Sequence, residues 1–371
     1  MSLYLLSLIV ISVNSIPNVT VHQAIRTYDI EIAIPDIINF ISLELDLQNK
    51  FSYFAIQRFT KEYKDTLHVI SEKDITINQR EQKASLIQFD LHFFQSSLSI
   101  NHINFYMFHE TLTDSYDALS LSFDYNYENE SLVHLMYSNK IIKKKAFALL
   151  HEKKNTYTLY FGVFPMFSYY QYKGQCLIQN NEWSCQLHRI ILHCNNDKIW
   201  IYQNTKAYTA KFQTRHRELF VPKHFFDYLL HQVFRDAFKQ GYCYINIKLQ
   251  LLCSLGYLQQ LFNGLSFVFD GFTVTMKIED LYIVNGKDEI FMIQMNENNR
   301  NEFEFGVGFL KHFDLFFNYE DKSITFYTNF PIIKREGIVN EASHIDIVKI
   351  GIIINIIELV ISSILLITTK Y

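Results

Sequence analysis

In one short run the chain carries Cys185, His188, His193 and Cys194, residue types that ligate zinc through thiolate sulfur and imidazole nitrogen. Ligation requires side chains that converge on one point. On an extended strand successive side chains alternate between faces, so Cys185 and His193 are expected on one face and His188 and Cys194 on the other. The set does not converge, and no metal site is expected. Other chemistries lack their residues too. The sequence has no Gly-rich phosphate loop, no Gly-x-Ser-x-Gly and no His-Glu-x-x-His, and no cofactor is expected. With Cys176, Cys243 and Cys253 the cysteines number five, all between residues 176 and 253. They fit an oxidising compartment, and the odd number leaves one thiol outside intrachain bridges or paired with another chain. Asn18-Val19-Thr20 and Asn129-Glu130-Ser131 are glycosylation sequons, which count only in a chain that enters the secretory pathway.

Both ends bear on that question. Residues 1–15 are short and apolar, with Val13 and Ser15 at the −3 and −1 positions of a cleavage site. They read as a signal peptide lacking a charged n-region, with a buried N-terminal strand as the alternative. Residues 350–368, between Lys349 and Lys370, form an apolar run of about 19 residues, the length of one membrane-spanning helix. Asn355 and Glu358 lie inside it, and a carboxylate in a membrane is costly. A removable lipid-anchor signal, with Ala342 and Ser343 upstream, is the second reading; a buried core helix is the third.

The elements between these ends read as strands. The hydrophobic fraction is 49% and the charged fraction 19%, enough apolar material for a large core and against disorder. The net charge of −4 gives no footprint for nucleic acid. Thirty-three Phe and 24 Tyr against 11 Gly favour strands. Period-two alternation marks 40–46, 86–93, 99–107, 118–123, 157–164, 186–193, 207–212, 265–269, 272–278, 313–317 and 323–327 as strands of an all-β chain. Helical spacing appears at 131–140 and 222–239, the latter opening with Pro222 in its first turn. A linker is expected near Asn155–Pro165.

The run Phe305-Gly306-Val307-Gly308-Phe309-Leu310-Lys311, then a strand, the acidic turn to Lys322 and a final strand to Phe326, resembles the last conserved block of pepsin-like aspartic peptidases. Other segments are similar to this family in the same order. Tyr116–Leu121 matches an element of the first lobe and precedes a helix. Thr158–Phe164 looks like a Phe-Gly-Gly strand. Leu265–Ile283 looks like the strand–turn–strand before the last block. The resemblance spans roughly residues 37 to 328 and implies a two-lobed, pepsin-like acid-protease fold with a few short helices. It divides the chain into an N-terminal β lobe at 25–155, a C-terminal β lobe at 156–330, a stalk at 331–349 and the membrane helix or anchor signal at 350–368. It also implies a second-lobe disulfide between Cys243 and Cys253, which an antiparallel hairpin would bring within bonding distance; one further pair is expected among Cys176, Cys185 and Cys194.

The family's chemistry needs one carboxylate from each lobe, sharing a proton, each in an Asp-Thr/Ser-Gly loop. By this resemblance Asp46 stands at the first position, with Leu47 and Gln48 in place of Thr and Gly and Tyr53 in place of Trp. Gln213 stands at the second position, where Thr214 matches and Arg215 replaces Gly. An amide does not titrate. The flap strand aligns at Ser85–Asp90, but Asn78–Gln82 replaces its glycines and tyrosine. The expectation is therefore a membrane-attached, secretory-pathway protein with its β lobes outside the cytosol, which binds a peptide or protein between the lobes without cleaving it. The alternative is an active aspartic-type endopeptidase with an altered dyad. A second carboxylate near Asp46 would discriminate the two, and Glu218 is the candidate nearest in sequence. The oligomeric state is left open.

Overall fold

The computed structural model describes residues 18–23, 28–33, 41–48, 52–54, 68–77, 80–93, 98–108, 117–123, 131–153, 156–165, 171–195, 199–247, 249–296 and 301–328. The signal-peptide segment, Asn129, Asn78, Gln79, the stalk and the apolar segment 350–368 lie outside these residues. Among the described residues no helix is long and apolar enough to cross a membrane. Asn18, of the other sequon, opens the strand Asn18–Gln23.

The chain is mainly β, as its alternation requires. Leu43 and Leu45 are buried with Glu44 half-exposed between them, and Leu265, Phe267 and Phe269 are buried along one strand face. Two sheets result. Read from one edge, the 13-stranded sheet runs Gln171–Leu177, Ser323–Thr328, Phe313–Asn318, Ala146–Lys153, Thr156–Phe161, Asn18–Gln23, Tyr28–Ala33, Ile41–Asp46, Ala118–Ser120, Tyr53–Phe54, Ser99–Phe108, Arg80–Phe93 and His68–Ile77. The ten-stranded sheet runs Cys243–Ile245, Gln250–Ser254, Asp288–Asn296, Leu219–Pro222, Glu302–Phe305, Ile199–Phe212, Ser184–Cys194, Phe262–Phe269 and Thr273–Lys277, with Tyr282–Asn285 paired to Asp288–Asn296.

One arrangement occurs twice. In the first sheet Ile41–Asp46 runs parallel to Ala118–Ser120, which is antiparallel to Tyr53–Phe54, which is parallel to Ser99–Phe108. In the second, Ile199–Phe212 runs parallel to Glu302–Phe305, which is antiparallel to Leu219–Pro222, which is parallel to Asp288–Asn296. Both copies place a parallel strand between the two arms of a strand–loop–strand unit, so each loop emerges at the end of a closely hydrogen-bonded pair.

Several local expectations change. The stretch 222–239 is not one helix. Pro222 is extended (ψ 144°) and caps Lys223–Tyr228, followed by the wider π turn Leu229–Val233 and a second α segment at Arg235–Lys239. The linker expected near Asn155–Pro165 falls largely on a strand: Thr156–Phe161 is hydrogen-bonded to Ala146–Lys153 and Asn18–Gln23. The pairing of Ser184–Cys194 with Phe262–Phe269 shifts register between Leu187 and Arg189. The extra residue, His188, inverts the alternation beyond it. Cys185 therefore points into the core, while His193 faces outward and bonds Ser266 Oγ at 2.7 Å. These two side chains lie on opposite faces, not on one.

Disulfides join Cys176 to Cys185 and Cys243 to Cys253, and Cys194 is in neither. Cys243 faces Cys253 across an antiparallel pair. Opening this bridge by Cys243→Ser with Cys253→Ser is expected to cost about 2–4 kcal/mol, the usual range for releasing a short closed loop. A urea midpoint equal to that of the parent would contradict this.

Candidate functional site

The repeated pairing fixes an internal equivalence without reference to side chains. Glu44 and Leu45 pair with Ala118 and Leu119, as Lys211 and Phe212 pair with Glu304 and Phe305. At the same spacing further on, Tyr53 pairs with Ala118 and Phe220 with Glu304. Asp46 is thereby equivalent to Gln213, Leu47 to Thr214, Gln48 to Arg215, and Ala118 to Glu304.

The two loops are tied across the sheets by reciprocal bonds. Thr214 Oγ1 donates to the Leu45 carbonyl, the residue before Asp46. Gln48 Nε2 donates to the Phe212 carbonyl, the residue before Gln213, at 2.7 Å. Leucine at 47 cannot mirror Thr214, and the amide of the next residue supplies the second bond. Asp46 is fully buried. Its Oδ1 accepts the Gln48 backbone N–H at 2.8 Å, and its Oδ2 lies 3.5 Å from Arg215 Nε. Its carbonyl accepts Leu121 N–H at 2.8 Å, and Ser52 Oγ accepts Ser120 N–H at 2.9 Å. These bonds lock the loop to the neighbouring strand.

Around Gln213 the polar groups form a second network. Gln213 Nε2 donates to Glu304 Oε2 at 2.8 Å and Asn296 Nδ2 donates to Glu304 Oε1 at 3.0 Å. His216 Nε2 stands 3.6 Å from Glu304 Oε2. The Arg215 loop is held by Val307 N–H to His216 O (2.8 Å) and Gly308 N–H to Arg217 O (3.0 Å). Glycine is required at 306, because a Cβ there would lie 2.3 Å from the His216 carbonyl and 2.4 Å from that of Glu218.

Burial alone would raise the Glu304 carboxyl, but His216, Lys211 and Asn296 outweigh it and hold the group below the ordinary glutamate range. A lowered folded-state value stabilises the fold above the unfolded value, and the gain is lost as pH falls through the folded one. The urea midpoint should therefore drop on acidification below the ordinary glutamate range, and Glu304→Gln should flatten that drop. Equal acid slopes in the two proteins would refute the assignment. Burial also pushes the Tyr53 hydroxyl far above its usual value; Arg215 opposes this, while Asp46, Glu44 and Asp117 add to it.

The structure thus brings Asp46, Arg215, Gln48 and Thr214 into one cross-linked pair of loops, with Gln213 turned to Glu304. Glu218 engages locally instead, its Oε2 accepting Arg217 N–H at 3.1 Å. Glu304 and the clamping role of Gln48 were missed from sequence. Glu304 reads there as an ordinary outward residue of an alternating strand, and only the pairing of Lys211 with Glu304 places it beside the second loop. Among the described residues no three His, Cys, Asp or Glu side chains are grouped to hold a metal ion.

No family model matches the chain, and no curated protein sequence is similar to it. Among solved structures, the aspartic proteinase from Irpex lacteus superposes with a TM-score of 0.66 at 13% identity, covering 84% of this chain and 97% of that one. The fold is that of a pepsin-like aspartic proteinase.

Proposed function

We propose that the chain is an aspartic-peptidase-like protein of the secretory pathway, membrane-attached through residues 350–368, which binds an extended peptide or protein segment and does not cleave it. One observation carries this reading. The position equivalent to Asp46 is an amide that donates to Glu304, while Arg215 occupies the other side of Asp46. A dyad works by two carboxylates sharing one proton, and neither loop is arranged for that. The loops remain tied together by Thr214 and Gln48, so the joining of the two sheets does not depend on a catalytic dyad. The strand His68–Ile77 at one sheet edge offers backbone groups for strand addition. Two disulfides suit an oxidising compartment.

Binding is tested by hydrogen exchange of the full chain with and without a pool of random extended peptides. Slowed exchange is expected along His68–Phe93 and around Gln213–Phe220. Peptide-independent exchange at both segments would reject the binding reading. Attachment is tested separately by alkaline carbonate washing of membranes: the protein should stay in the pellet, and full release would reject it.

A further inference from the structure

At the edge of the smaller sheet, the strands Cys243–Ile245 and Gln250–Ser254 form a hairpin closed at its base by the Cys243–Cys253 disulfide. Its turn is tightly bonded. Asn246 N–H donates to Gln250 O at 3.0 Å, and Leu249 N–H donates to Asn246 O at 3.0 Å. Gln250 N–H donates to Asn246 Oδ1 at 2.9 Å, and Asn246 Nδ2 donates to Gln250 Oε1 at 3.0 Å. Leu249 is held at φ 58°, a left-handed conformation that leucine rarely adopts. What this rigid turn presents is apolar: Ile247 is 100% exposed, and Ile245 and Leu249 are 37% and 40% exposed.

The base of the hairpin has a different chemistry. Tyr242 and Tyr257 stack with ring centroids 4.9 Å apart, and Tyr244 donates its hydroxyl to Asp288 at 3.0 Å. Such rings, apolar in body and polar at the tip, favour the headgroup level of a membrane. Exposed Lys287 lies beside the base, its carbonyl accepting Leu255 N–H at 3.0 Å. Long cationic side chains at this level reach lipid phosphates while their stems stay in apolar surroundings.

We propose that this disulfide-closed hairpin inserts Ile245, Ile247 and Leu249 at its tip into the headgroup layer of a lipid bilayer and so orients the protein on the membrane surface. An apolar tip flanked at its base by exposed Tyr242, Tyr244 and Lys287 suits a deformable bilayer, whereas a protein partner would need a matching cavity. The proposal draws its proximity argument from the attachment reading of residues 350–368. The intervening stretch of about 20 residues spans up to roughly 70 Å when extended, more than the width of a globule with a radius of gyration of about 20 Å, the size expected for a chain of this length.

The test uses the full chain carrying Cys194→Ser and Ile247→Cys, labelled with an environment-sensitive fluorophore and mixed with phosphatidylcholine–phosphatidylserine vesicles. Ile247 is wholly exposed, so the substitution removes no core contact; mass mapping checks that both disulfides persist. A label at Tyr172→Cys, exposed on the opposite sheet, serves as reference. The expected result is a blue-shifted Ile247→Cys label quenched several-fold more by nitroxide lipids than the reference. Weak, equal quenching in protein that resists carbonate washing overturns the hairpin proposal and leaves attachment standing. Strong quenching in protein that carbonate releases does the reverse. A blue shift without lipid quenching, growing with protein concentration, means that a second copy covers the tip and also overturns the proposal.

Discussion

Purified full-length protein, incubated with a diverse peptide library from acidic to neutral pH, is expected to give no cleavage products by mass spectrometry. The reason lies in the second loop. An amide at 213 supplies no titrating carboxylate, and its Nε2 is already bonded to Glu304 at 2.8 Å. The guanidinium of Arg215 stands 3.5 Å from Asp46, so this carboxylate has a cation beside it in place of a second carboxyl group that could share a proton. Acid–base catalysis of this kind contributes about 10²–10⁴-fold, and with no carboxyl pair to share a proton the water is not activated either. Products that vanish in Asp46→Ala would overturn the expectation and restore the altered-dyad reading. Products that vanish only in Glu304→Gln would identify Glu304 as the partner acid. Gln213→Asp with Arg215→Gly supplies the missing carboxylate and removes the competing cation. Any activity gained by that pair should then depend on Asp46.

The second large effect concerns stability. Trp183→Ala is expected to destabilise the protein by about 3–5 kcal/mol, the usual cost of truncating a buried tryptophan. Trp183 is fully buried, and its ring packs within 4.8–5.7 Å of those of Phe123, Phe147, Phe317 and Tyr319. It also links the two loops. Its Nε1 donates to Leu121 O at 2.6 Å, beside the Asp46 strand, and its carbonyl accepts Phe212 N–H at 2.9 Å, beside Gln213. Trp183→Phe should cost less, because the Tyr319 hydroxyl also donates to Leu121 O at 3.1 Å. Adding Tyr319→Phe removes the remaining side-chain donor to that carbonyl, and the double variant should lose more than the two single losses combined. Chemical-denaturation midpoints of the four proteins decide this, and strict additivity would deny the shared carbonyl its role.

The sequence by itself determined the class of the molecule. Alternation along 40–46, 118–123 and 265–269 is a local, period-two property, and burying one face of each run leaves no choice but sheets. The block from Phe305 to Phe326 pointed to the pepsin-like fold through its own residue types and spacing, and close packing onto a distant loop holds it in place, as where Gly306 approaches the His216 carbonyl. The second-loop frame, anchored on Pro222, put Gln213 opposite Asp46, and the repeated strand pairing equates the same two positions. Tertiary structure decided what touches what. The bulge at His188 inverted the faces of Cys185 and His193, because one unpaired residue is invisible to a periodicity count. The stretch after Pro222 broke into three segments where packing overrode helical spacing. Gln48 took the clamping place that Leu47 cannot fill, through a carbonyl 164 residues away in sequence. Glu304 came beside Gln213 only through a parallel pairing between distant strands. Each of these depends on the spatial meeting of segments far apart in the chain, which neither composition nor spacing encodes.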